Sequence, residues 1–256
     1  MKQGIFITGA SSGIGEALAV YYAGKGAVLG LAARRTDALA ALNERLGGGH
    51  ACYPLDVTDA AALHDAAQDF IARFGAPEIV LASAGVSAGT LTEHAEDLAA
   101  FRRLMDINVY GMAATFAPFI PAMKAAGGFR RLVGLASVAG IRGLPGAEAY
   151  SASKAATIAY LESLRLEMRA CGIKVVTIAP GYIETPMTAV NPYRMPFLLP
   201  AEEAARRFAA AIETGNSYTV IPWQMGVLAK LLRVLPNAVY DRLFAGAPRK
   251  PRGLLK

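Results

Sequence analysis

Cysteine is scarce in this chain: Cys52 and Cys171 are the only two in 256 residues. Two thiols cannot build a disulfide framework, and their spacing matches no metal site, so no metal is expected. Charge is sparse as well, at 18% against 54% hydrophobic residues. That balance buries a large core and excludes a disordered chain. The opening MKQGIFITGA lacks the apolar run and cleavage site of a secretion signal, so a reducing, cytoplasmic setting is expected. Repeats, low-complexity segments and linkers are missing, and the length suits a single domain.

The charge is unevenly placed. From Trp223 to Lys256 there are seven Lys or Arg (Lys230, Arg233, Arg242, Arg249, Lys250, Arg252, Lys256) against Asp241 alone. The difference of six equals the whole formal net charge of +6, so residues 1–222 balance. A nucleic-acid binder carries its basic residues along the folded body, so no nucleic-acid partner is expected.

Apolar runs alternate with helical stretches. Strands are expected at Ile5–Thr8, Val28–Ala32, Cys52–Leu55, Ile79–Ser83, Leu132–Ala136, Ile173–Ala179 and Tyr218–Ile221. Helices are expected at Gly13–Gly24, Ala38–Leu46, Ala60–Phe74, Glu96–Ala125, Ser151–Ala170 and Ala201–Glu213. Fully apolar strands suit a sheet covered on both faces. The alternation predicts an α/β fold of the Rossmann type: a doubly wound parallel sheet of about seven strands in one domain, residues 1–222. Residues 223–256 form a separate carboxyl-terminal helical extension.

TGASSGIG sits between the first strand and the first helix. Gly9, Ser11, Ser12, Gly13, Ile14 and Gly15 are read as a turn that lets the backbone approach a pyrophosphate at a helix amino terminus. The end of the second strand reads LAARRTDAL. An acid there would bond a ribose 2′-hydroxyl and favour NAD. Arg34 and Arg35 instead suit a 2′-phosphate, so NADP is the expected cofactor and NAD the alternative. Asp37 is read as a residue at the start of the second helix.

Ser137, Tyr150 and Lys154 form a proton-transfer set. A free phenol titrates near 10. Lys154 lies one helical turn beyond Tyr150, and its charge is expected to draw the phenol toward working pH. Ser137, at the carboxyl end of a strand, is placed to bond a substrate oxygen. Asn108, a polar residue in an apolar helix, is a fourth candidate.

Seven pieces in order resemble the short-chain dehydrogenase/reductase family over about residues 3–222: TGASSGIG, Asp56 in LDVTD, SAG at Ser83–Gly85, Asn108, Ser137, YSASK at Tyr150–Lys154, and PGYIETPM at Pro180–Met187. The resemblance implies that Asp56 and Val57 hold the adenine and that Ala84 and Gly85 lie near the cofactor ribose. It implies that Pro180, Gly181, Ile183 and Thr185 surround the nicotinamide, with Ile183 and Thr185 on its carboxamide. Asn108, Ser137, Tyr150 and Lys154 would be the catalytic four. It also implies pairing through the long helices after strands four and five, giving a homodimer or homotetramer. One departure is Ala82–Ser83, where the family often carries two asparagines that brace the sheet beside the cofactor.

The segment TPMTAVNPYRMPFLLP is expected to form a substrate loop, and Met187, Val190, Met195, Phe197, Leu198 and Leu199 favour a small apolar carbonyl or alcohol. Trp223–Leu235 is expected to be a helix too short to span a bilayer, which takes ~20 apolar residues. It covers the substrate mouth, packs on a second subunit, or rests on an anionic membrane surface. The terminal APRKPRGLLK is expected to be mobile. The leading reading is an NADP-dependent oxidoreductase. The rivals are a β-ketoacyl carrier-protein reductase that meets its acidic carrier through Arg130 and Arg131, and a non-catalytic nucleotide-sensing protein.

Overall fold

The computed structural model describes residues 2–253. Its strands are β1 (Gly4–Thr8), β2 (Val28–Ala33), β3 (Ala51–Pro54), β4 (Ile79–Ala82), β5 (Arg131–Leu135), β6 (Lys174–Pro180) and β7 (Tyr218–Ile221). All pair in parallel, in the order β3-β2-β1-β4-β5-β6-β7. Between them run α1 (Gly13–Ala23), α2 (Thr36–Arg45), α3 (Ala60–Phe74), α4 (Asp97–Met105), α5 (Gly111–Phe116), α6 (Ile120–Ala126), α7 (Glu148–Met168), α8 (Pro186–Ala189) and α9 (Ala201–Thr214). The helices α10 (Trp223–Val234) and α11 (Asn237–Phe244) follow β7.

Side chains on a strand alternate between faces. Ile5 and Ile7 therefore join Leu29, Val133 and Ile178 beneath Leu18 of α1 and Phe208 and Ile212 of α9. Phe6 faces the other way, with Val80 and Leu132, into Phe70 of α3, Phe116 of α5 and Leu161 of α7. The Phe6 ring packs 4.7 Å from Phe119 and edge-on to Phe70 at 5.8 Å. Two buried layers on one sheet explain why the strands are apolar throughout. The chain moves outward from β1 to β3 and then returns to β4 beside β1. That reversal opens a crevice at the carboxyl edge, where such sheets bind ligands.

Three segments differ from expectation. Glu96–Ala125 is not one helix. α4 runs into a π-turn at Asp106–Tyr110, then α5, then a turn and α6. Pro118 and Pro121 lack the N–H groups a continuous helix needs. The π-turn carries Asn108, and such insertions recur at functional sites. The extension holds a second helix, α11, which starts after Pro236. The terminal segment is docked rather than loose. Gly89 N donates to Pro251 O at 3.1 Å. Arg252 Nε donates to Asp97 Oδ2 at 2.7 Å, and its other arm reaches Glu96 Oε1 at 2.9 Å. Lys250 Nζ donates to Ser87 Oγ at 3.0 Å and to Met187 O at 3.3 Å. Acids far back in the chain hold a basic end that sequence alone leaves unpartnered. Leu254–Lys256 lie outside the described residues.

Candidate active site

The first β-α turn is shaped by glycine. Gly9 has φ +68°, and a methyl group on it would lie 2.8 Å from the Ala84 backbone. Ser12 precedes α1 in extended backbone and makes no side-chain cap. The first amides of α1 thus point, uncapped by that side chain, into the crevice, where positive helix dipole favours an anion. Arg35 braces the turn by donating to Ser11 O at 2.9 Å and Ser11 Oγ at 3.2 Å.

The crevice is a cleft of about 370 Å³. Its floor is Gly9, Ser11, Ser12, Gly13 and Ile14, and one end is Ala33, Arg34, Arg35, Asp56 and Val57. Ala84 and Gly85 form one wall and Thr185 the opposite one. Burial opposes ionisation of Asp56. The Thr58 amide and hydroxyl, then the Arg103 and Arg34 guanidiniums, outweigh it and hold the carboxyl below its usual range. A glycine floor at a helix amino terminus, two guanidiniums at one end and no acid at Ala33 are a donor set that fits a nicotinamide dinucleotide.

The proton-transfer residues gather beyond the Gly85 wall. A methyl on Gly85 would lie 3.2 Å from Asn108 Oδ1 and 3.7 Å from Lys154 Nζ. Asn108 is fully buried and clamps the Val86 backbone. Its Oδ1 accepts from Val86 N at 2.9 Å, and its Nδ2 donates to Val86 O and to Ser153 Oγ, both at 3.0 Å. Ser153 Oγ in turn donates to Tyr150 O at 2.8 Å. Ser137 follows β5 by two residues in extended backbone, and its Oγ accepts from Ala139 N at 3.1 Å. The turn it starts lies tight on α7: a methyl on Gly140 would come 2.6 Å from the Lys154 carbonyl carbon. Only glycine permits that approach.

Lys154 Nζ donates to Leu135 O at 2.8 Å and lies 5.9 Å from the centre of the Tyr150 ring. Burial lowers its pKa from 10.5 to about 8. Burial also raises the Tyr150 pKa, against a weaker opposing contact from Ser137. Desolvation dominates both groups, and Lys154 Nζ gives one of its hydrogens to the Leu135 carbonyl.

Other expected residues fall elsewhere. Gly15 is buried behind the turn. Gly181 N donates to Ile221 O at 2.9 Å, and Ile183 is a core residue. Pro180 is buried at the end of β6. Thr8 substitutes for the missing asparagine brace, since its Oγ1 accepts from Ala84 N at 3.4 Å and donates to Leu81 O at 3.5 Å. Arg130 and Arg131 are not a free basic patch. They sit at the opposite, amino-terminal edge of β5, where Arg131 is buried and donates to Ile212 O at 3.1 Å while Arg130 faces Glu78 at 3.6 Å. Sequence reading missed Leu55, Val86, Ile107, Leu135 and Pro186 on the cleft wall. It also missed Tyr193, whose pKa is pushed up to about 12 by burial, then by Tyr182 and Tyr150. Proximity in sequence to known motifs was the one signal for the wall residues; Tyr193 had none.

Residues 3–194 match the family model for short chain dehydrogenases. An uncharacterized oxidoreductase of Myxococcus xanthus is 38% identical over 240 residues, covering 92% of this chain and 93% of the relative. An Arabidopsis thaliana protein named 11-beta-hydroxysteroid dehydrogenase-like 3 is 33% identical, over 93% of this chain and 79% of its own. A Burkholderia cenocepacia short chain dehydrogenase solved in complex with NADP superposes with a TM-score of 0.81 at 25% identity, over 94% of this chain and 97% of that one. With the seven-stranded parallel sheet and the cleft at its switch point, these likenesses have one meaning: the chain belongs to the short-chain dehydrogenase family and is an NAD(P)-dependent oxidoreductase.

Proposed function

We propose that the protein reduces small apolar carbonyl compounds, or oxidises the matching alcohols, using NADP(H), with Tyr150 as general acid and base. The bound nicotinamide supplies or accepts the hydride at the carbonyl carbon. Tyr150 gives a proton to the carbonyl oxygen, and burial keeps that proton on the phenol through neutral pH. Ser137, beside the phenol, donates a hydrogen bond to the same oxygen. The nearby Lys154 ammonium offsets charge left on the tyrosine. Asn108 and Ser153 act as positioning residues that tie Val86 on the cleft wall to the Tyr150 backbone.

The observation that carries this reading is that Lys154 and Asn108 meet behind the Gly85 wall of the cleft while the Ser137 hydroxyl bonds the Tyr150 phenol. NADP is favoured because Arg34 and Arg35 line the end where an acid would select NAD, and Ala33 stands in the acid's place. An apolar substrate is favoured because Met187, Val190, Phe197 and Leu198 stand exposed along the loop after β6. The docked tail adds Lys250 to that rim. We read residues 1–222 as the catalytic domain and the remainder as an extension. Leu98, Phe101, Tyr110 and Leu166 are exposed on the helices after β4 and β5, which supports assembly as a dimer or tetramer. The two free thiols support a reducing, cytoplasmic setting.

The direct test is Tyr150→Phe, assayed by NADPH oxidation against a panel of ketones. Turnover should fall by about 10²–10⁴ while NADPH still binds. Unchanged turnover would remove Tyr150 as the acid.

A further inference from the structure

Helix α10 is apolar on two opposite sides. Met225, Gly226 and Ala229 are buried against the body. On the other side Trp223, Val227, Leu231 and Val234 recur every three to four residues, which makes one helical stripe. That stripe is open to solvent, with Trp223 67% and Val234 77% exposed. Lys230 and Arg233 border it, and α10 contains no acid. Helix α11 repeats the pattern: Val239 and Leu243 are exposed, Arg242 stands beside them, and Tyr240 is turned inward. Apolar surface of this extent, rimmed by one sign of charge, marks an interaction site.

We propose that helices α10 and α11 dock on an anionic lipid surface. The apolar stripe enters the acyl boundary while Lys230 and Arg242 meet the headgroup phosphates; Arg233, which donates to Ile141 O at 3.2 Å, adds positive charge at the rim. Charge decides between lipid and a second copy of the chain. A two-fold interface on this stripe would set its cationic border against itself. Across both helices Asp241 alone could relieve that repulsion, whereas an anionic bilayer does so everywhere. Among the described residues no helix is long and apolar enough to cross a membrane.

The two helices are fastened to the proposed site. Arg142 lies between Ser137 and Tyr150 in the chain. Its guanidinium stacks 3.9 Å from the centre of the Tyr240 ring and donates to Leu235 O at 2.7 Å and Asn237 Oδ1 at 3.0 Å. Tyr240 OH donates to Gly143 O at 2.6 Å. Docking therefore holds the loop that joins two of the proton-transfer residues beside the lipid. The substrate class that follows is a carbonyl or alcohol dissolved in the bilayer; this last step rests on the oxidoreductase reading, and the docking does not.

The test uses the full-length protein in co-sedimentation with vesicles of phosphatidylcholine, with and without phosphatidylglycerol. Binding should appear with the anionic vesicles and weaken as salt rises. K230Q/R242Q, with two charges removed, should weaken it about thirtyfold. L231S/V234S should abolish it while leaving the thermal melt and NADPH-dependent reduction of a water-soluble ketone as in the parent. Failure of the parent protein to bind anionic vesicles would overturn the proposal. So would a parent oligomer that L231S/V234S dissolves in light scattering, which assigns the stripe to a second copy. Vesicle binding without ketone turnover would uphold docking and fault the proposed carbonyl substrate class instead.

Discussion

Arg34→Ala separates the two nicotinamide cofactors. Arg34 is exposed at the end of β2, in the cleft wall, close enough to Asp56 to help keep its carboxyl ionised. Arg35, its neighbour, is committed to Ser11. Arg34 is thus the guanidinium free to meet a 2′-phosphate. A hydrogen bond to a charged partner contributes about 1.5–3 kcal/mol. Solvent exposure trims the upper end, so about 1.5–2 kcal/mol is expected, a KM rise of roughly ten- to thirtyfold for NADPH. NADH has no 2′-phosphate, and its KM should stay as it was. Arg103 still holds Asp56, so the adenine end keeps its anion. Steady-state kinetics with both cofactors at low salt reads the difference, which should shrink as salt screens the contact. Equal losses for NADPH and NADH would refute the reasoning. Arg35→Ala serves as the contrast: it loosens the Ser11 turn under either cofactor and should raise both KM values together.

Lys154 sets a pH limb. Burial depresses its pKa from 10.5 to about 8, so the charge that offsets tyrosinate is present below about 8 and lost above it. Carbonyl reduction should fall through that pH in a kcat/KM profile, and Lys154→Arg, which stays charged, should carry the limb upward; an unmoved limb assigns it to another group. The same depression means that burying the charged lysine costs the folded state stability below about pH 8, a cost relieved as pH rises from about 8 to 10.5. Ser153→Ala leaves one Asn108 Nδ2 proton without a partner in a buried site and should cost about 1–3 kcal/mol in denaturant melts; a neutral effect would show that water replaces the hydroxyl. Lys250→Ala removes the tail's contacts to Ser87 and Met187. It should raise KM for an apolar ketone severalfold and speed proteolysis near the terminus, with NADPH binding unchanged; an unaltered KM would place the tail outside the substrate path.

Local pattern determined a great deal here. Continuous apolar runs separated by helical periodicity dictate a parallel sheet covered on both faces. Helix α3 and strand β7 fall at the expected residues because Asp59 caps one and short-range β-propensity bounds the other. The glycine turn, the Tyr150–Lys154 spacing and the arginines after β2 were readable because each acts within one turn or one element. Distance along the chain hid the rest. The π-turn that carries Asn108 interrupts a stretch whose apolar period reads as one helix. The Arg130–Arg131 pair looked like a docking patch, yet its sheet edge buries it against Ile212 and Glu213. Lys154 reads in sequence as a partner of Tyr150 alone, and only the folded chain shows the Leu135 carbonyl, nineteen positions away, accepting a hydrogen bond from the same ammonium. The basic tail looked loose, and Asp97, 155 positions back, fastens it. Periodicity and turn chemistry are local, so they can be read one residue at a time. Desolvation and long-range ion pairing exist only after the chain has closed on itself, so tertiary structure alone decided what those charges do.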